Sequence, residues 1–188
     1  MKMPKKFEIS RMFVIFFILG VAISAFLGIL AGNYVSSRKM KKETQNTSSQ
    51  IAFKTGDTFP NVKLKSLADE EINLHDLMNG KKTFLLFLAT GSPHCEEEVL
   101  KWQRTVNFMP ENYILIGISP EPVADLKNYQ TQKGLRFTLL NDPQAAFVSK
   151  YQINYYPTLI GVDQNKKVIF IQSEYFTGTT PQDFLKKL

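Results

Sequence analysis

The sequence contains only one cysteine, Cys95, among 188 residues. A single cysteine cannot form a disulfide within the chain, and it excludes a zinc site built from several cysteines. The two histidines, His75 and His94, are far apart in sequence and make no recognisable metal site. We therefore expect no metal and no other cofactor. Any oxidation of Cys95 must end as an oxidised sulfur or as a bond to another molecule.

Negative charge is scarce in residues 1–55, where nine Lys or Arg residues accompany only Glu8 and Glu43. Residues 56–188 are nearly neutral, with fourteen basic and fifteen acidic residues, so the net charge of +6 belongs to the N-terminal segment. This distribution gives no support for nucleic-acid binding, and we expect no nucleic-acid partner. It does fit contact with a membrane surface.

Charge is absent from residues 12–35, which are mostly apolar. At about 1.5 Å per residue, a helix of this length crosses a hydrocarbon core of about 30 Å. A cleavable signal peptide has a shorter apolar region, and Asn33 stands where a lipoprotein signal has its cysteine. The sequence predicts an uncleaved, single-pass anchor in the lipid bilayer. A basic segment at residues 1–11 precedes it, and a flexible polar linker at residues 36–55 follows. Equal numbers of basic residues flank the anchor, so charge does not set its orientation.

A strand, a tight turn and a helix form the centre of the predicted folded region, residues 56–188. Residues 84–88 are uniformly apolar, which suits a strand buried on both faces. Ser92 and Pro93 are typical of a helix start, with serine as the N-cap. Cys95 then lies in the first helical turn, where N–H groups favour a thiolate and the three following glutamates oppose it. The sequence leaves open which influence prevails.

The remaining elements follow from periodicity and turn residues. The predicted order is a hairpin with an edge strand around Leu64, a helix at 75–79, a strand at 83–89, a helix at 93–109, a strand at 113–119, a helix at 122–132, a strand at 136–140, a helix at 143–152 capped by Asp142, strands at 158–163 and 168–175, and a last helix from Pro181. Trp102, Phe108, Tyr151 and Phe176 are predicted to lie in the core.

Residues 89–95, Ala-Thr-Gly-Ser-Pro-His-Cys, resemble the Ala-Thr-Trp-Cys-x-x-Cys motif of thioredoxin-like proteins. The likeness is to the membrane-anchored TlpA/ResA-type thiol-disulfide oxidoreductases and their redoxin relatives, and it covers roughly residues 56–188. It implies an α/β fold with a central mixed sheet flanked by helices. An N-terminal β-hairpin, an insertion after the second core strand and a preceding transmembrane helix complete this prediction. The resemblance also implies a cell-membrane protein whose C-terminal domain is extracytoplasmic.

The catalytic candidates implied by this resemblance are Cys95, Ser92 and Glu98. Ser92 stands where the family has its attacking cysteine, and a serine cannot perform that attack near neutral pH. It is favoured as a plain N-cap, with a hydrogen bond to the Cys95 sulfur as the alternative. Cys95 matches the second cysteine and is either a reactive thiol or a half-buried core residue. Glu98 matches a glutamate that assists proton transfer in the anchored reductases.

The substrate-binding candidates are His94, Tyr156 and Pro157. Pro157 matches the cis-proline of thioredoxins, which faces the active-site turn and lends backbone groups to a substrate peptide; a plain strand-start proline is the alternative. His94 is expected to be exposed, in a Pro-His pair like that of DsbA-type oxidases.

Three functions remain open from the sequence. The first is a thiol–disulfide oxidoreductase relative that uses Cys95 with a thiol or disulfide protein partner. The second is a single-thiol, peroxiredoxin-like peroxidase, for which the serine three residues before the cysteine fits but Leu88 replaces the expected proline. The third is a non-catalytic module that holds peptides near Pro157.

Overall fold

A seven-stranded mixed sheet forms the centre of this computed structural model, which describes residues 51–173 and 178–188. The strand order across the sheet is β2-β1-β5-β4-β3-β6-β7. The central strands β3, β4 and β5 are parallel, and the other pairs are antiparallel. The strands are β1 (Lys63–Ser66), β2 (Glu71–Asn73), β3 (Lys82–Phe87), β4 (Tyr113–Ser119), β5 (Thr138–Asn141), β6 (Thr158–Val162) and β7 (Val168–Ser173).

Five α-helices flank the sheet in the described residues. They are α1 (Leu74–Met78), α2 (Pro93–Thr105), α3 (Val123–Lys133), α4 (Ala146–Lys150) and α5 (Pro181–Leu185), with short 3₁₀ helices at Val106–Phe108 and Pro143–Ala145. Side chains of β3 alternate between two apolar clusters, with Leu85 and Phe87 in one and Phe84 and Leu86 in the other. Residues 84–88 are uniformly apolar because helices cover both faces of this strand.

The predicted N-terminal hairpin and the predicted insertion meet at the same side of the sheet. The hairpin is β1 and β2, and the insertion after β4 contributes α3, β5 and α4. Strand β5 pairs with β4 on one side and with β1 on the other. The prediction of β1 as an edge strand is therefore wrong, since β1 has a neighbour on each side.

The packed chain begins before the predicted boundary at Gly56. Phe53 is 6% exposed and belongs to the core cluster that contains Phe87. The Ala52 N–H donates to the carbonyl oxygen of Tyr151 at 2.9 Å. Residues 51–55 therefore belong to the folded domain and not to a tether.

Two further expectations differ from the structure. Phe108 was assigned to the core, but it lies in the 3₁₀ turn after α2 and is 84% exposed. The predicted helix at 143–152 is divided, because Gln144 and Ala145 adopt positive φ angles and α4 begins at Ala146. The predicted core residue Phe176 lies outside the described residues.

No helix within residues 51–173 and 178–188 has the length and apolar composition needed to cross a membrane. The predicted anchor at residues 12–35 lies outside the described residues.

Candidate active site

The turn between β3 and α2 leads into the helix that carries the only thiol of the protein. The Ser92 N–H donates to the carbonyl oxygen of Ala89 at 3.3 Å and closes the turn. The Ser92 hydroxyl oxygen accepts from the Cys95 N–H at 3.4 Å, and Pro93 occupies the first helical position. The prediction that Ser92 is an N-cap is therefore confirmed. The cap fixes Cys95 in the first turn of α2.

The Cys95 side chain is completely buried, with an exposed fraction of 0%. It packs in the apolar cluster of Phe84, Val99 and Trp102, and the Ala89 N–H donates to its sulfur at 3.4 Å. Burial raises the pKa of the thiol above its ordinary value. Hydrogen bonds from Ala89 and Ser92 oppose this rise, while nearby carboxylates reinforce it. Burial is the largest influence on the pKa of this thiol, and it opposes the thiolate that the helix N-terminus favours.

Glu98 lies one turn further along α2 and is also fully buried. Its Oε2 accepts from Lys101 Nζ at 3.3 Å, while its Oε1 is buried without a hydrogen-bond partner. Burial raises the pKa of Glu98, and the neighbouring Lys101 ammonium partly offsets that rise. The same ammonium lies 3.4 Å from the exposed carboxylate of Glu97. The buried acid and the buried thiol thus share one face of α2, at positions three residues apart.

A cis peptide bond between Tyr156 and Pro157 directly precedes β6. This bond was predicted from the sequence and is confirmed. In the antiparallel pairing of β3 with β6, Phe87 lies opposite Thr158, so the residues before Thr158 lie beside the chain that leaves β3. Tyr156 packs against the cluster that contains Cys95, and burial raises its pKa to about 12.

The predicted site residues are therefore only partly brought together. Ser92 contacts Cys95 directly, Tyr156 packs against its cluster, and Glu98 follows it on the same helix face. His94 is exposed on the first turn of α2, as expected from the sequence. In the described part of the chain, no group of three His, Cys, Asp or Glu side chains could hold a metal ion.

One acidic residue of the site was missed in the sequence. Glu121 follows β4, the parallel neighbour of β3, and both of its carboxylate oxygens accept from the Thr90 N–H, at 3.0 Å and 2.9 Å. Its charge also helps to raise the pKa of Cys95. Polar residues that follow neighbouring parallel strands meet at one sheet edge, and this was the available signal.

Three features define a thioredoxin-like α/β protein: the mixed sheet, the thiol in the first turn of the helix after its central strand β3, and the cis-proline before the neighbouring strand β6. Residues 55–171 match the AhpC/TSA family, and the chain belongs to this family.

The chain is similar to proteins named for two kinds of thiol chemistry. It is 26% identical over 140 residues to the thiol-disulfide oxidoreductase ResA of Geobacillus thermodenitrificans, covering 73% of this chain and 78% of that protein. It is 29% identical over 103 residues to a putative peroxiredoxin of Buchnera aphidicola, covering 54% and 65%. A thioredoxin-like protein of Haemophilus influenzae is 26% identical, and the match covers 56% of this chain and 62% of that protein.

The fold has counterparts among solved structures. A putative thiol:disulfide interchange protein DsbE from Chlorobium tepidum superimposes with a TM-score of 0.64 at 19% identity. The match covers 72% of this chain and 98% of that protein. The thioredoxin-like α/β fold with a mixed sheet is thus shown.

Proposed function

We propose that this protein is a membrane-anchored, extracytoplasmic relative of the thiol-disulfide oxidoreductases that works through one sulfur, Cys95, and does not turn over a dithiol. One observation carries the proposal. The only cysteine of the chain lies in the first turn of α2, just after the Ser92 cap, and the cis-proline directly precedes the strand that pairs with β3. The TlpA/ResA-type reductases that this sequence resembles have their redox motif at this place, but Ser92 stands where that motif has its first cysteine.

The reaction that one thiol permits is a single exchange. Cys95 loses its proton to solvent, and its thiolate attacks one sulfur of a partner's disulfide. A bond forms between Cys95 and that sulfur, while the second partner sulfur leaves as a thiolate and takes up a proton. Ser92 cannot resolve the product, so the mixed disulfide persists until another thiol attacks it. Burial and the raised pKa of Cys95 make the first step slow, and the turn must open for it.

Membrane anchoring is part of the proposal because of residues 12–35. They carry no charge and are long enough to cross a bilayer. An extracytoplasmic domain is supported by the likeness of the motif to that of the anchored reductases. In this arrangement residues 36–50 tether the domain to the bilayer, since packed structure is present from residue 51.

Non-catalytic peptide binding is the second candidate, and the burial of Cys95 favours it. In that case the residues around Pro157 hold a partner and the sulfur only fills the core. A single-thiol peroxidase is less well supported, even though a putative peroxiredoxin is among the similar proteins. A peroxidatic cysteine needs an accessible, activated thiolate. Here the thiol is buried and the charged groups that act on it, Glu121 and Glu98, are both acidic.

The test is intact mass spectrometry of the full-length protein and of Cys95→Ser after exposure to oxidised glutathione or hydrogen peroxide. We expect a slow glutathione adduct on the wild-type protein, stable until dithiothreitol is added, and none on Cys95→Ser. Faster oxidation by peroxide than by the disulfide would favour the peroxidase. A sulfur left unmodified by both reagents would remove both redox functions and leave peptide binding.

A further inference from the structure

The contact between Glu121 and Thr90 joins two segments that are far apart in sequence. Glu121 follows β4, and Thr90 lies in the turn before α2. The single Thr90 N–H points between the two carboxylate oxygens, at 3.0 Å and 2.9 Å. A hydrogen bond to a charged acceptor is roughly twice as strong as a neutral one. These hydrogen bonds therefore connect the turn before α2 to the residue that follows β4.

The Glu121–Thr90 contact lies next to Ala89, the residue that bonds to the thiol. Ala89 directly precedes Thr90, and its N–H donates to Cys95 Sγ at 3.4 Å. The Ala89 carbonyl oxygen accepts from Ser92, whose hydroxyl oxygen accepts from the Cys95 N–H. Each residue of the turn that bonds to Cys95 is thus linked to the peptide that Glu121 holds. A movement of the turn away from the sulfur would therefore pull on the Glu121–Thr90 contact.

Glu121 is itself held in place. Its N–H donates to Ser119 Oγ at 3.3 Å, and the Ser119 hydroxyl donates to its Oε2 at 3.4 Å. Its carbonyl oxygen accepts from Asn141 Nδ2 at 2.7 Å. Ser119 is fully buried and Asn141 is 6% exposed, so both supports belong to the rigid ends of β4 and β5. A carboxylate fixed from the sheet can resist movement of the turn.

We propose that Glu121 is a positioning residue that latches the turn of residues 89–92 closed over Cys95, so that breaking its contact with Thr90 is the step that exposes the thiol. The significance of this latch for exchange with a partner rests on the proposed function. The contact adds to the packing between α2 and the sheet, which buries the Cys95 side chain.

The experiment measures alkylation of Cys95 by iodoacetamide in the full-length protein across a range of pH. The rate on the alkaline plateau reports opening of the turn, and the midpoint of the pH profile reports the charge near the sulfur. Glu121→Gln keeps an oxygen that accepts from Thr90 but removes the charge. We expect the midpoint of its alkylation profile at lower pH, with little change in the plateau rate.

Glu121→Ala lacks the acceptor, and we expect its plateau rate of alkylation to be roughly tenfold higher than that of wild type. The matched control, Glu111→Gln, removes an exposed carboxylate and should change neither quantity.

A second measurement, hydrogen exchange of the Thr90 amide in another variant, tests the latch if Glu121→Ala folds poorly. Ser119→Ala removes the hydroxyl that accepts from the Glu121 N–H and donates to Oε2, and the Thr90 amide should exchange faster in this variant than in wild type. An unchanged plateau in folded Glu121→Ala, or unchanged Thr90 exchange in Ser119→Ala, would overturn the latch. Alkylation needs no partner disulfide. A raised plateau without any glutathione adduct would therefore remove the proposed function while leaving the latch in place.

Discussion

Phe53 stacks on Tyr151, with ring centroids 4.5 Å apart and an interplanar angle of 15°. Phe53 also stacks on Phe59, at a centroid distance of 5.0 Å. These contacts close one end of the apolar cluster on the α4 side of the sheet. The segment that leads out of the predicted linker thus contributes a core side chain.

We predict that Phe53→Ala lowers the free energy of unfolding by about 3 kcal/mol, the usual loss for a buried aromatic ring. The measurement is urea unfolding of a soluble fragment that begins at Ser49. Lys54→Ala is the control, because the Lys54 side chain is exposed and its contacts with Asp57 are made by its backbone N–H and carbonyl oxygen. Equal stability of the two variants would contradict the assignment of residues 51–55 to the domain.

Ser92→Cys should create a working dithiol. The change places a second sulfur at the N-cap, where the family has its attacking cysteine. We expect the wild-type domain to reduce insulin disulfides no faster than Cys95→Ser, and Ser92→Cys to show sustained turnover and a measurable redox potential. Ser92→Ala is the control, which removes the cap without adding a thiol and should cost about 1 kcal/mol of stability. Sustained turnover by the wild type would refute the assignment of Ser92.

Glu98→Gln should stabilise the domain at neutral pH. Burial raises the pKa of Glu98 in the folded state above the value of 4.5 that applies to an unperturbed glutamate. The protonated acid therefore stabilises the fold below about pH 4.5, and this contribution is lost as pH rises through the folded-state pKa. Glutamine stays neutral at every pH. The Glu98→Gln variant should therefore be more stable than wild type above the folded-state pKa of Glu98, and the two proteins should be equally stable in acid.

The measurement for Glu98 is urea unfolding at several pH values. Glu97→Gln is a matched control, because Glu97 is exposed and contacts the same Lys101. An exposed ion pair contributes only about 0–1 kcal/mol, so this control should be nearly unchanged. A Glu98→Gln variant that is less stable than wild type at pH 7 would show that the Lys101 contact outweighs the cost of burial.

The full-length protein should fractionate with membranes, because residues 12–35 form an uncharged apolar run. Deletion of residues 1–35 should release a soluble, folded domain. Recovery of the full-length chain in the soluble fraction, with its N-terminus intact, would contradict the anchor.

The elements best predicted from the sequence are those defined by strong local signals. Strand β4 has the predicted bounds Tyr113–Ser119, and α2 starts at the predicted Ser92-Pro93 cap. The Tyr156–Pro157 bond has the predicted cis geometry. The first two depend on a continuous apolar run and a capping pair, which a short stretch of sequence shows, and the third depends on the resemblance of Pro157 to the cis-proline of thioredoxins.

The errors arise where distant residues decide the outcome. Asp142 does bind helix N–H groups, but those of Phe147 and Val148, because the chain first makes a 3₁₀ turn. The burial of Cys95 depends on packing between α2 and the sheet, and the role of Glu121 depends on the alignment of β4 beside β3. Periodicity along one segment contains no information on such contacts. Phe108 was assigned to the core by its apolar side chain alone, although it follows the last turn of α2.

The edge of the sheet formed by β2 bears on whether copies of the domain pair with one another. Its last strand, β2, has three residues, and an ion pair of 2.7 Å joins its Glu71 to Lys63 of β1. Short, charged edge strands are poor templates for pairing with another sheet. A protein confined to a membrane plane meets copies of itself more often than a freely diffusing one. With the anchoring proposed above, we expect this edge to resist pairing between copies of the domain that share one membrane.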